Sequence, residues 1–238
     1  MKRVQFVLVA VILSLGLIIS SAIVSNTIES LKKKDDVVTV KGVADKKVKS
    51  DKGILAIVVK SSDKDINTAV EHLKTNTQNI ADQIKAEGFE DSEIKLENIA
   101  SEPVYYFNDR GNQTTRILSY NATQMIVVTT DKVDKLDPLA LKLSENIELA
   151  VSEPQYFVTN IEKLKIDLLG EATKNARLRA NELLKNNGRS IGGVKTVNQG
   201  VFQITGDNTS ETSDTGYYDT YSIEKTVRAV ISIEYRIE

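Results

Sequence analysis

Residues 4–24 read VQFVLVAVILSLGLIISSAIV, an apolar run without a charge, directly behind Met1-Lys2-Arg3. At about 1.5 Å per residue, a helix of that length reaches roughly 30 Å, the thickness of a bilayer's hydrocarbon core. Three readings compete. An uncleaved anchor fits the length. A cleaved signal peptide fits Lys2 and Arg3 as the basic start and Ser20-Ser21-Ala22 as the cleavage signature, although the run is long for one and continues through Ile23 and Val24. A buried core helix needs a polar stripe, and Gln5, Ser14, Ser20 and Ser21 are too few to make it. The anchor is the preferred reading. Lys2 and Arg3 abut the run, whereas Lys32, Lys33 and Lys34 begin eight residues past it, which favours an inside N-terminus and an exported domain. The expected organisation is an anchor or signal segment over 1–25, a charged linker over 26–36 and one domain over 37–238. The expected location is the cell membrane, single-pass with the domain outside the cytoplasm, or secreted or periplasmic if the signal is cleaved.

The chain has 238 residues and a formal net charge of −2, so nothing is basic enough to point to nucleic acid. It has no cysteine, which removes disulfides, thiolate metal sites and cysteine nucleophiles together. With a single histidine as well, zinc and non-haem iron sites lack their usual ligands. No cofactor or metal is expected.

The runs Val37–Val40 and Gly53–Val59 predict strands flanking a charged hinge, Asp45–Asp51. Asp63 or Asp65 caps a helix whose stripe is Ile66, Val70, Leu73, Thr77, Ile80 and Ile84, and Gly88 stops it. Ile94–Phe107 and Arg116–Thr130 flank the turn cluster Asn108–Asn112 and predict a long β-hairpin. A second helix runs from about Val133 to Asn146, with Pro138 tolerated only in its first turn. Ile147–Thr159 is extended, with Pro154 marking a bulge or an edge. Glu162–Asn187 is the longest helix, burying Leu164, Leu168, Ala172, Ala176 and Leu183 and stopping at Gly188. Val194–Ile204 and Tyr221–Ile237 are the last strands, the final one alternating through Val227, Ala229, Ile231, Ile233 and Tyr235. Between them, Gly206–Gly216 is a polar loop. Strands outnumber crossovers, so the fold class is α+β: a mixed or antiparallel sheet with helices packed on one face, preceded by one N-terminal transmembrane or signal helix.

Two stretches go beyond pattern. One is Val38-Thr39-Val40-Lys41-Gly42-Val43-Ala44, followed by Val48 and Asp51. The other is the helix Ala172, Ala176, Ala180, Leu183, followed by Gly188, Ile191-Gly192 and Val194. In that order and separation they resemble the bacterial SIMPL-domain family over most of residues 37–238. The resemblance implies an exported α+β domain, self-association into ring-like or hollow homo-oligomers in some members, and a link to oxidative-stress defence in others. It carries over no catalytic residue.

Candidate sites weigh on the bland side. His72 lies between Val70 and Leu73 with no Ser or Cys nucleophile motif beside it, and reads as a boundary residue. Gly188, Gly192 and Gly193 follow a helix and precede a strand, the reverse of a phosphate cradle. Asp207, Glu211, Asp214 and Asp219 lack the ordered spacing of a calcium loop. Two aromatic clusters beside turns, Tyr105-Tyr106-Phe107 and Tyr217-Tyr218 with Tyr221, form the candidate interaction surface for an envelope protein or a glycan. The expected function is non-enzymatic: a membrane-anchored, self-associating protein of envelope maintenance or stress defence. The alternative is an extracytoplasmic binding module working through those aromatic residues.

Overall fold

The computed structural model describes residues 13–25, 36–146, 148–207, 213 and 215–238. Residues 1–12 of the expected 1–25 segment, residues 26–35 of the expected 26–36 linker and most of the Gly206–Gly216 loop lie outside the described residues. Residues 13–25 form a helix, α1, with every residue exposed. Among the described residues no helix is long and apolar enough to cross a membrane.

The chain continues as β1 (Val37–Lys49), β2 (Lys52–Asp63), α2 (Ile66–Ala86), a 3-10 turn (Asp91–Glu93), β3 (Ile94–Leu96), β4 (Ala100–Phe107) and β5 (Gln113–Thr130). Then come α3 (Leu136–Ser144), β6 (Leu149–Val151), β7 (Gln155–Phe157), α4 (Ile161–Lys185), β8 (Ile191–Gln199), β9 (Gln203–Gly206), β10 (Tyr217–Tyr218) and β11 (Glu224–Ile237). The class is mixed α+β. The strands form two sheets rather than the single sheet expected: one of six strands in the order β3-β5-β2-β6, with β4 also on β5 and β7 also on β2, and one of five in the order β1-β11-β9-β10, with β8 also on β11. β9 and β10 pair in parallel, whereas the pairs of the six-stranded sheet and those of β11 with β8 and β9 are antiparallel.

The chain divides into two compact units, residues 45–166 with 202–228 and residues 1–44 with 167–201 and 229–238. The larger unit holds the six-stranded sheet. Its core gathers Leu55, Ile57 and Val59 of β2, Ile126 and Val128 of β5, Leu73, Ile80 and Ile84 of α2, and Leu136, Leu139 and Leu143 of α3. Alternate residues of β2 thus face both helices, as the period of two requires. Asp65 caps α2 by accepting from the Thr68 N–H at 3.0 Å, and Gly88 just past its end has φ +92°. Pro138 is the third residue of α3, inside the first turn. Pro154 falls between β6 and β7, where pairing with β2 breaks.

Two expectations about the strands change in detail. The charged stretch from Asp45 is strand up to Lys49, not hinge. Asp45, Lys47 and Lys49 alternate along β1 and pair with Arg228, Asp207 and Asp134 at 2.8, 2.8 and 2.7 Å. The Val194–Ile204 strand is two strands, β8 and β9, separated at Gly200–Phe202.

The smaller unit holds β8, α4 from Asp167 onward, β1 up to Ala44 and β11 from Ala229. Alternate residues of β11 are buried here, Ala229, Ile231, Ile233 and Tyr235, as the pattern predicts. The buried stripe of α4 continues every four residues through Leu168, Ala172, Ala176, Ala180 and Leu184. Leu183, expected inside, is one position off that stripe and is exposed.

Candidate functional site

A groove of about 760 Å³ opens on the larger unit. Lys60, Ser61 and Ser62 come from the last part of β2, Asn121 and Thr123 from β5 and Glu102 from β4. His72, Thr75 and Asn76 come from one flank of α2, one turn apart, and Glu148 stands just before β6. The strand register sets the spacing: Thr123 lies opposite both Lys60 and Ala100, and Asn121 lies opposite both Ser62 and Glu102. These lining residues are polar. Thr75 and Ser62 are engaged, donating to the Glu71 carbonyl and to Ser119 Oγ. Among the described residues, no hydrogen bond or ion pair engages the side chains of Lys60, His72, Asn76, Glu102, Asn121 or Glu148. The groove can therefore satisfy donors and acceptors of a polar ligand. His72, read from sequence as a boundary residue, is exposed and lies at this groove.

The second feature is an arm. β5 begins pairing with β2 at Tyr120, opposite Asp63, so the β4–β5 ribbon from Val104 to Ser119 extends past β2. Tyr105 stands opposite Ile117 and Phe107 opposite Gln113, which puts Tyr105, Phe107 and Ile117 on one face. Phe107 is 66% exposed and Ile117 41%. On the other face the Arg116 guanidinium lies 4.4 Å from the Tyr106 ring centre, a cation–π stack. The turn is closed by Asn108, whose Oδ1 accepts from the N–H groups of Arg110 and Asn112 at 3.0 Å each.

The second aromatic cluster is elsewhere. Tyr218 packs on Phe157 with ring centres 6.4 Å apart, and Phe157 pairs with Lys52 at the opposite end of β2. At about 3.3 Å per residue, the length of β2 separates the two clusters by roughly 36 Å or more. They do not form one surface. Tyr218 and Tyr221 are exposed and Tyr217 is half-buried, on a loop held by a caged lysine. The Lys225 ammonium, fully buried, donates to the Asp219 and Ser222 carbonyls at 2.7 and 2.6 Å. Asp219, one of the acids that lack calcium-loop spacing, is buried and accepts from the Tyr221 N–H at 2.8 Å.

The two sequence motifs meet in the smaller unit. A Cβ at Gly42 would overlap the Ala172 carbonyl oxygen and lie 2.8 Å from the Ala176 Cβ. Asn175 Oδ1 accepts from the Val43 N–H at 3.2 Å, and Arg179 donates to the Lys41 carbonyl at 3.1 Å. The family described as "SIMPL: Protein of unknown function (DUF541)" matches residues 38–235. The chain belongs to the SIMPL family. A curated relative, "Uncharacterized protein YggE" of Edwardsiella ictaluri (strain 93-146), is 26% identical over 167 residues, 67% of this chain and 66% of that protein. Among solved structures, an uncharacterized conserved protein from Listeria innocua aligns over 79% of this chain and 91% of its own with 8% identity and a TM-score of 0.16, a likeness too slight to carry a fold argument. In this chain the two motifs meet at the junction of Gly42 with α4; the groove and the arm stand outside both.

Proposed function

We propose that this SIMPL protein is a non-enzymatic, membrane-anchored protein whose domain works outside the cytoplasm, in envelope maintenance or stress defence, by associating with further copies through the β4–β5 arm. The observation that carries the association is the arm's face of Tyr105, Phe107 and Ile117, an apolar surface on a ribbon that leaves the sheet. The open edge of β4 favours side-chain contact over strand addition: Pro103 removes an N–H there, and two register shifts follow it. Anchoring is supported by the uncharged run over 4–24 and by the apolar exposure of Leu17, Ile18, Ile19 and Ile23 in α1. The non-enzymatic reading rests on the absence of cysteine and the lack of any reactive spacing around His72.

The test is light scattering on the full chain in detergent. The expected result is a multimer that Phe107→Ser with Ile117→Ser reduces to a monomer at unchanged melting temperature. A wild-type monomer at high concentration overturns the association. Intact mass of the membrane-extracted protein, with extraction by detergent and not by salt, tests the retained anchor. A shortened mass and release by salt would instead support the secreted form.

The binding-module reading draws on the same aromatic residues, with Tyr106 stacked by Arg116 at one end and Tyr218 and Tyr221 exposed at the other. Because the clusters are far apart, Tyr106→Ala and Tyr221→Ala are expected to affect different partners, read by separate pull-downs.

A further inference from the structure

The groove contains an unfinished edge of sheet. Ser152 donates its N–H to the Ala56 carbonyl, and its Oγ accepts from the Ala56 N–H. Backbone groups of alternate strand residues point the same way, so those of Val58, Lys60 and Ser62 also face the β6 side. Val58 lies opposite Ala150, and pairing ends at Val59 with Leu149. Beyond that point, among the described residues, no strand takes up the outward N–H and C=O of Lys60 and Ser62 on that side. These are the two β2 positions that flank Ser61 in the groove. Backbone groups spaced for a ladder, in a concave site most of whose polar side chains are uncommitted, match the main chain of an extended peptide.

We propose that the groove binds an extended, basic peptide segment of a partner protein, added to β2 as a short strand past the end of β6. The charge of the partner follows from the lining: Glu102 and Glu148 stand against the single ammonium of Lys60, and neither carboxylate has an ion-pair partner among the described residues. Lys60, Ser61 and Ser62, the β2 residues that line the groove, are all polar and suit a hydrophilic segment over an apolar one. This site is separate from the arm's apolar face, so the two readings stand or fall independently.

The test uses the full chain in detergent and two labelled probe peptides, one alternating lysine with threonine and one alternating glutamate with threonine. The expected result is fluorescence anisotropy binding of the lysine peptide only, with slowed hydrogen exchange over Lys60–Asp63. Glu102→Gln with Glu148→Gln should weaken it about three- to tenfold, as for removal of exposed charge pairs. Methylating alternate backbone nitrogens of the peptide should abolish binding while keeping its charge. Ser62→Pro, which removes one outward N–H, should do the same, and the paired glutamine variant covers the case in which Ser62→Pro fails to fold. Equal binding of the methylated peptide, or binding of spermidine with no exchange protection on β2, would show a charge sink and overturn the added strand. So would no binding of the lysine peptide at millimolar concentration.

Discussion

Gly42 of β1 and Ala172 of α4 are in backbone contact: no side-chain atom fits between the strand and the helix carbonyl. A glycine in a strand interior is costly to order, and here the close approach it permits explains its place. Gly42→Ala is expected to destabilise the domain by about 3 kcal/mol, lowering the melting temperature by roughly 6–12 °C. Ala176→Gly should not restore it, because the principal clash is with a main-chain oxygen. Thermal melts of the two variants check this.

Asn175 and Arg179 occupy the main-chain groups of Val43 and Lys41 on β1, the end strand of its sheet. An uncovered edge strand recruits other strands. Asn175→Ala with Arg179→Ala should leave those groups open, cost about 1–2 kcal/mol and raise turbidity with concentration. A double variant as clear as the wild type on prolonged incubation would contradict this role.

Lys225 is held by two carbonyls, with the Asp219 carboxylate 3.7 Å away. Burial pushes the ammonium down, and Asp219 opposes it. Lys225→Met removes the cation from a buried cage and should cost about 3 kcal/mol. Protease cleavage between Gly216 and Ser222 should quicken with it, since the loop loses the group that gathers its carbonyls.

Glu93 gives a pH dependence. Burial would raise its carboxyl, but hydrogen bonds from Thr130, the Glu90 N–H and Lys132 outweigh that and hold it at about 2, below an ordinary 4.5. Since the folded value is the lower one, the contribution is complete above about 4.5 and is lost as pH falls towards 2. Its size is about 3 kcal/mol. Urea titrations from pH 6 to pH 2 should show this loss, and Thr130→Val should make it smaller.

The elements whose signal is local were legible. The alternation of β11 and the cap of α2 are written within a few residues, and the structure places Val227 to Tyr235 and Asp65 accordingly; the α2 stripe is buried from Leu73 to Ile84, whereas Ile66 is exposed. The charged stretch of β1 was not legible, because Asp45, Lys47 and Lys49 are stabilised as strand by Arg228, Asp207 and Asp134, far along the chain. Leu183 and Leu184 differ by one helical step, and hydrophobicity cannot choose between them. The groove was hidden for a stronger reason: its lining comes from β2, α2, β4, β5 and the residue before β6, and no segment carries a motif for it. His72 was visible as a lone imidazole, but the sequence had nothing to say about Glu102 or Glu148 being near it.

The order in which the strands are made sets a further demand. β11 pairs with β1, β8 and β9, so it is the strand on which the five-stranded sheet is assembled. It is also the last of the five to leave the ribosome. β1 must therefore wait for its strand partner until β11 has been made, while β2 can already meet β5 once residue 130 has emerged. A nascent chain stalled before β11 would hold one finished sheet and two strands, β1 and β8, without their partner.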